Sequence, residues 1–510
     1  MKAYPPYELE QIRDLRHLMN LRADSAPDET AFFYTADGGE TKKVSYRTFR
    51  EDVRGLGTWL LKNGSGREHI AILGSNSYEW IAGFFAVTTT GNVAVPLDAR
   101  QPLENLISIM QMGEARKLVY SREFAPLIPA FEKEIAGFSA FPMEEMGRIA
   151  EEGRALLEAG DLSYEERKLD PDTMCALVYT SGTTGIPKGV MLSQRNIAAN
   201  INQACANFVL EGVGMSVLPF HHMFGLVVGA LMVFNYGYPC YICRQIRNIA
   251  RDFQIAKPEC LFVVPMVIES FAKMFRGMGR KAGGNISPEA VRAFTGGSLR
   301  YIICGGAPLS VSYVKMFRMF GLEILNGYGI TECSPVLAVN RNEDMRDGSV
   351  GPVLFGCEVK IADDGEILAR GDNVMLGYYK NPEETEKALS GGWFHTGDLG
   401  RIEDHYLFVT GRTKNLIITS NGENISPEEL EEKLLADPAV AEALVFDADG
   451  VLAAEIYPEA EANLPESYFK ALIERIGQGE PAYRKIQKLS LRNQPFERNS
   501  TGKILRRKNV

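Results

Sequence analysis

The chain lacks any apolar run long enough to cross a bilayer. Its longest, from about Val227 to Cys243, is interrupted by Asn235, Gly237 and Pro239, so the roughly 20 apolar residues a spanning helix needs are never reached. A buried helix followed by a strand is expected there instead. The amino terminus, MKAYPPYELEQIRDL, has no apolar stretch behind a basic patch; it does not read as a secretory signal, and a cytoplasmic protein is expected. Positive charge is also in short supply. With 55 Lys and Arg against 65 Asp and Glu, the net charge is -10, which provides no basic field for nucleic acid or an anionic lipid surface, although local cations can still hold a nucleotide. The eight cysteines run from Cys175 to Cys357 and form one close pair, Cys240 and Cys243. Without a second pair, or histidines at zinc-finger spacing, this is a poor metal or redox motif. No repeat or low-complexity segment occurs.

What is present is the composition of a globular protein: 510 residues, 45% hydrophobic and 24% charged. That length exceeds a single hydrophobic core and implies more than one domain. From about residue 69 to 330, short β-branched runs (HIAIL, NVAVPL, CALVYT, MSVLPF, CLFVVP, LRYIIC) alternate with helix-like stretches such as Tyr78 to Val87 and Val311 to Phe320. The alternation predicts an α/β fold with parallel sheets covered by helices. After about Val350 the strands shorten and hairpins begin, as in EVKIADDGEILARG, where Asp364-Gly365 suits a turn with positive φ. Beyond Gly411 the pattern is mixed α and β; Ser426 reads as an N-cap, with Pro427 at the first helical position and Glu429 placed for a capping box. The expected division is a large N-terminal domain over 1–411, with stacked α/β subdomains to about 340 and a small β-rich subdomain over about 341–411, then a smaller mobile α+β domain over 412–510.

The strongest chemical signal is TSGTTGIPKG, Thr180 to Gly189, between the apolar strand CALVY and a second apolar run, VML. It has what a loop for oxyanions needs. Gly182, Gly185 and Gly189 let the backbone turn and expose N–H groups, the hydroxyls of Ser181, Thr183 and Thr184 add donors, and Lys188 brings a cation. It is not a Walker A loop, because Pro187 precedes Lys188 and Gly189 follows it where Ser or Thr is required.

Other motifs follow in order. NGYGITE, Asn326 to Glu332, puts an aromatic, a hydroxyl and a carboxylate close together: Tyr328 for stacking on adenine, Thr331 for a phosphate oxygen, and Glu332 for Mg²⁺, a hard cation that prefers oxygen ligands. Taken alone it suits a glycine-rich strand end as well. Asp398 in TGDL offers two oxygens to a pair of ribose hydroxyls, or serves as a turn or cap residue. His221 and His222 precede Met223, Phe224 and Gly225, an apolar setting for a neutral imidazole beside a substrate carboxylate or a coenzyme A tunnel, or for a satisfied core histidine. Gly305, Gly306 and Ala307 end the strand RYIIC, where small residues admit a flat ring or an acyl group, or simply pack tightly.

In this form and order, TSGTTGIPKG, PFHHMFG, GGAPL, NGYGITE, GWFHTGDLG, GRTKNLI and STGKI resemble the adenylate-forming superfamily of acyl-CoA synthetases, beetle luciferases and peptide-synthetase adenylation domains, over roughly residues 170 to 510. NVMLGYYKNPE and NGENISPEELE look most like bacterial fatty acyl-CoA synthetases. The resemblance implies an ATP- and Mg-dependent enzyme that converts a carboxylic acid to an acyl-adenylate and pyrophosphate, then passes the acyl group to coenzyme A. It assigns nucleotide contacts to Thr180 through Gly185, Gly306, Ala307, Pro308, Asn326, Gly327, Tyr328, Gly329, Asp398 and Arg412, and points to His222 beside the acid. Lys414 becomes the hinge, and Lys503, in a basic C-terminal tail, the lysine that swings over ATP and carboxylate. Two residues depart from the family pattern: His405 stands where glycine is common and Glu497 where proline is common.

A carboxylate is a poor acyl donor because its leaving group would be oxide; attack on the α-phosphorus of ATP substitutes AMP. Two anions then meet in line, and Lys188, Lys503 and a cation on Glu332 offset the charge. A carrier-protein phosphopantetheine is an alternative acceptor, and a catalytically silent nucleotide-binding protein an alternative of another class. Chain length of the acid, oligomeric state and pathway are not written in these residues.

Overall fold

A computed structural model of the chain describes residues 5–180, 187–281, 284, 286–418, 423–459, 463–498, 504 and 506. Two large sheets are built from the β-branched runs. One has eight strands in the spatial order Val336–Val339, Glu323–Gly329, Tyr301–Cys304, Cys260–Val263, Gly214–Ser216, Cys240–Ile242, Thr30–Thr35 and Thr41–Ser45. The other has seven: Gly377–Tyr378, Lys188–Ser193, Met174–Thr180, Val93–Leu97, His69–Leu73, Lys117–Tyr120 and Ser139–Pro142. The inner pairs are parallel, as the strand–helix alternation requires, but antiparallel strands close both edges of the first sheet and one edge of the second. MSVLPF is a strand only through Ser216; the rest leaves the sheet toward the two histidines.

Helix Tyr78–Thr89 has every residue but Glu79 buried, as befits a helix apolar on all sides. Its Phe85 meets Phe49 with ring centroids 5.0 Å apart, and Phe49 meets Phe234 at 5.3 Å, so one aromatic core joins the sheets. Helix Gln194–Asn207 begins in a capping box between Ser193 and Asn196. Its buried amides bind backbone of the other sheet: Asn200 Nδ2 donates to Val336 O at 2.7 Å and Asn207 Nδ2 to Val339 O at 2.9 Å. Buried amides with every donor placed fix register as well as position.

The segment expected as a buried helix is one of an unusual kind. Phe224–Leu231 is a π-helix running into an α-helix, Met232–Tyr236, and then the strand Cys240–Ile242. The extra residue per turn re-aims side chains, and such segments recur at functional sites. Among the described residues no helix is long and apolar enough to cross a membrane.

A four-stranded antiparallel sheet (Glu358–Ile361, Glu366–Arg370, Phe394–Glu403, Tyr406–Arg412) follows, with Gly365 at φ +87° in its first hairpin. The last unit has its own core of Leu430, Leu434, Val445, Ile456 and Phe469, around the strands Val440–Asp447, Leu452–Pro458 and Lys488–Leu491. The fold is α/β with a large N-terminal and a small C-terminal part. The expected capping box at Ser426 does not form. Pro427 does start the helix Pro427–Leu435, but the Ser426 hydroxyl donates to Thr410 O at 2.6 Å, tying the small unit to the preceding strand, and Glu429 pairs with Arg484 instead.

Candidate active site

In open α/β sheets ligands bind beyond the carboxyl ends of the strands. Here four neighbouring parallel strands deliver their ends together. Gly214–Ser216 leads to His221 and His222, Cys260–Val263 to Val264, Tyr301–Cys304 to Gly305 and Gly306, and Glu323–Gly329 to Thr331 and Glu332. The second sheet supplies Asp98 after Val93–Leu97 and Thr180 at the end of Met174–Thr180. His221 Nε2 lies 3.3 Å from Asp98 Oδ1, so the strand ends of the two sheets face one crevice.

Thr180 pairs with Lys188 in antiparallel register, so the phosphate-loop motif connects two strands of a hairpin rather than a strand and a helix. Ser181, Gly182, Thr183, Thr184 and Gly185 lie outside the described residues, as does Lys503. Lys188 Nζ sits 2.5 Å from Glu384 Oε2 and 5.0 Å from the ring centroid of Tyr378. Hydrogen bonds from Lys188 and Lys387 hold the Glu384 carboxyl down to about 2.

Glu332, in the single turn Thr331–Cys333, accepts from the Tyr378 hydroxyl at 2.9 Å. Burial pushes its carboxyl above the usual range, opposed by its backbone hydrogen bond, by Tyr378 and by the charge of Lys188. The Tyr328 hydroxyl donates to Asp398 Oδ2 at 2.7 Å, and Arg412 Nε reaches Asp398 Oδ1 at 2.9 Å. Both oxygens of this buried carboxylate are engaged. Asn326, on the same strand, has a buried Oδ1 without a hydrogen-bond partner, while Gly306, at φ +86°, and Pro308 are exposed beside it.

Behind these strand ends is an apolar cavity lined by Phe208, Phe224, Val228, Met232, Ile303 and Val336, among others, reaching Gly305, Gly306, Tyr328 and Gly329. The π-helix turns Phe224 and Val228 into it. A Cβ on Gly305 would lie 3.5 Å from the Phe224 ring and 3.2 Å from Gly327 O. Ile303 lines the cavity, but Ile302, one residue earlier, points into the other core with Val314 and Phe317, because successive strand residues alternate faces.

The histidine segment is held by Asn76, whose Nδ2 donates to Leu218 O at 2.8 Å and whose Oδ1 accepts from Phe220 N at 2.9 Å. Burial, helped by the neighbouring His222, lowers His221 to about 3. Asp98 is lowered to about 2: burial opposes the shift, but His221 and Arg100 outweigh it. Lys414 is exposed, in the turn Thr413–Asn415 between the four-stranded sheet and the small unit, with its ammonium lowered by partial desolvation and Arg412. His405 occupies φ +78°, a left-handed geometry that explains the usual glycine, and its ring bonds Asp344. Glu497 is exposed. Cys240 and Cys243 are buried, with thiols raised to about 12 by desolvation, which removes the thiolate that metal or redox chemistry requires.

The AMP-binding enzyme family model matches residues 20–379. The chain belongs to that family. A long-chain-fatty-acid–CoA ligase of Mycobacterium bovis is 29% identical over 486 residues, covering 86% of this chain and 80% of that protein. A 2-succinylbenzoate–CoA ligase of Bacillus cereus is 30% identical over 506 residues, covering 95% and 96%. The crystal structure of o-succinylbenzoate CoA synthetase from Bacillus subtilis with its acyl-adenylate intermediate shares the fold, with a TM-score of 0.77, 24% identity and 96% coverage of each chain. This AMP-binding enzyme is an acid–thiol ligase. Sequence reasoning missed Tyr378, Glu384 and Asp98; the signal available for Asp98 was its place at the carboxyl end of an apolar strand.

Proposed function

We propose that this AMP-binding enzyme activates a fatty acid with ATP and Mg²⁺ and transfers the acyl group to coenzyme A. The observation that carries the choice of acid is the cavity behind Gly305 and Gly306: no charged side chain is among its lining residues. Burying an unpaired second carboxylate there, as a succinylbenzoate would require, costs several kcal/mol, whereas each methylene buried contributes about 0.8 kcal/mol. A hydrocarbon tail fits that lining and a dicarboxylate does not.

The residues present suit the nucleotide. The unpartnered Asn326 Oδ1 is an acceptor for an adenine amino group, Tyr328, Ala307 and the exposed Gly306 and Pro308 offer flat walls, and Gly327 and Gly329 keep the strand free of side chains there. Asp398 takes the ribose hydroxyls by sharing or exchanging Tyr328 and Arg412. Glu332 would hold Mg²⁺, which supplies charge neutralisation at the phosphates. Thr180 to Gly185, Thr331 and Lys188 position the phosphates, with Lys188 exchanging Glu384 for them. His222, carried beside Asp98 and His221, orients the acid carboxylate for in-line attack on the α-phosphorus. Lys503 covers that step, and the unit beyond Arg412 then turns about Lys414 so that the thiol reaches the adenylate. Pyrophosphate leaves the α-phosphorus in the first step; in the second the thiolate sulfur bonds the acyl carbon as the acyl carbon–oxygen bond breaks, and AMP departs with that oxygen. Incubating the protein with Mg-ATP, coenzyme A and matched monocarboxylic and dicarboxylic acids tests the reading: acyl-CoA from the monocarboxylic aliphatic acids supports it, and preference for an aryl dicarboxylate overturns it.

A further inference from the structure

The crevice contains a cluster of which the proposed adenylate chemistry uses only His222. One ligating atom from each of Asp98, His221 and His222 lies within 4.8 Å of the others. His221 is 8% exposed, and its Nε2, though 3.3 Å from Asp98 Oδ1, makes no hydrogen bond; Asp98 Oδ2 is likewise buried without a partner. The unpartnered atoms are thus His221 Nε2 and the second oxygen of the carboxylate beside it, and buried polar atoms left unsatisfied are costly unless a third species binds them. The anchors are firm. Asp98 accepts from Arg100 N at 3.0 Å and from Arg100 Nε at 3.1 Å, all on one of its oxygens, which leaves Oδ2 free, and Asn76 pins the backbone before the histidines from both sides.

We propose that Asp98, His221 and His222 form a binding site for a divalent transition metal of the zinc class, separate from the magnesium that accompanies ATP. Two imidazoles and a carboxylate are borderline donors that suit zinc or cobalt and are poor for magnesium, which demands oxygen. The geometry is close to what is needed. With metal–ligand bonds near 2.0–2.2 Å, neighbouring donors around a tetrahedral ion are roughly 3.3–3.6 Å apart, and the Asp98 carboxylate approaches His221 Nε2 to 3.3 Å through its other oxygen, Oδ1. Three protein ligands leave a fourth position open to water or to a carboxylate. Because His222 is the residue assigned above to the acid, a bound metal holds the acid's carboxylate as a ligand, withdraws its electron pair from attack on phosphorus, and slows adenylation. This last consequence rests on the proposed function; the binding itself does not.

The test uses the full chain, freed of metal by chelator dialysis, titrated with Co²⁺ and followed by its visible d–d absorption and by calorimetry in the presence of excess Mg²⁺. The expected result is one saturable site with tetrahedral-type absorption, weakened at least tenfold in both D98N and H221L, each checked for an unchanged thermal transition. Equal cobalt affinity and spectrum in wild type and in either folded variant overturns the site. Zn²⁺ is then added to the ATP-dependent assay: inhibition relieved by chelator and lost in D98N supports the coupling to the acid. Metal bound by Asp98 and His221 with no effect on turnover keeps the site and discards His222 as the acid's partner, so the two readings fail separately.

Discussion

Lys188 and Glu384 form a direct ion pair, Nζ to Oε2 2.5 Å, at the exit of the phosphate loop. The lysine proposed for polyphosphate is held by a carboxylate from the short helix Pro382–Ala388. A half-exposed pair of this kind contributes about 0–1 kcal/mol, so a polyphosphate displaces Glu384 readily, yet the exchange still opposes nucleotide binding. Glu384→Gln is expected to lower the KM for ATP by up to about fivefold, the equivalent of that energy, with kcat little changed. A higher KM in steady-state kinetics shows instead that Glu384 positions the lysine for its phosphate.

As the proposed Mg²⁺ ligand, Glu332 is expected to set a pH limb. Its carboxyl is raised by burial and must be anionic to hold Mg²⁺, so activity falls as pH drops through a value above the ordinary glutamate range. Tyr378→Phe removes a donor that favours the charged form and moves this limb to higher pH. The stability sign is opposite. A carboxyl raised in the folded state contributes stability below its unfolded pKa that is lost as pH rises through the folded one, so Glu332→Gln is expected to be inactive yet to melt higher than wild type near pH 8. A pH–rate profile unmoved by Tyr378→Phe removes Glu332 from the metal.

In the proposed function the cavity behind the strand ends receives the tail of the acid. Val228 is buried and lines it from the π-helix. Val228→Phe fills that space; it is expected to lower kcat/KM for long acids by about 0.8 kcal/mol for each methylene excluded, sparing short ones, at about 1–3 kcal/mol of overpacking. A uniform loss across chain lengths places the tail elsewhere.

The sequence displayed the compact motifs of the candidate site better than the residues packed around them. Asn326 to Glu332, Asp398 and Arg412 sit in such motifs, and the structure places Tyr328, Asp398 and Arg412 in contact. Periodicity likewise revealed helix Tyr78–Thr89 and the strands around it. Tyr378, Glu384 and Asp98 were hidden because their partners are distant in sequence and no local pattern marks them. The π-helix was hidden because its apolar residues fit any buried helix, and the capping box at Ser426 failed because its hydroxyl donates to a tertiary acceptor, Thr410 O, and accepts from no backbone N–H of the first turn.

In the proposed function Lys503 acts in only one of the two half-reactions. Removing an aimed cation costs about 10² to 10³ in rate, so Lys503→Ala is expected to lose that much adenylation, read as pyrophosphate exchange, while coenzyme A still consumes preformed adenylate at near the wild-type rate. Equal loss of both steps refutes the reorientation about Lys414.

The most direct test is to incubate the purified protein with Mg-ATP and a panel of acetate, short to long fatty acids, aryl acids and 2-succinylbenzoate, with and without coenzyme A, measuring AMP and acyl-CoA together. AMP equal to acyl-CoA, greatest for aliphatic monocarboxylic acids, is the result the apolar cavity predicts; turnover confined to 2-succinylbenzoate or another aryl acid contradicts it.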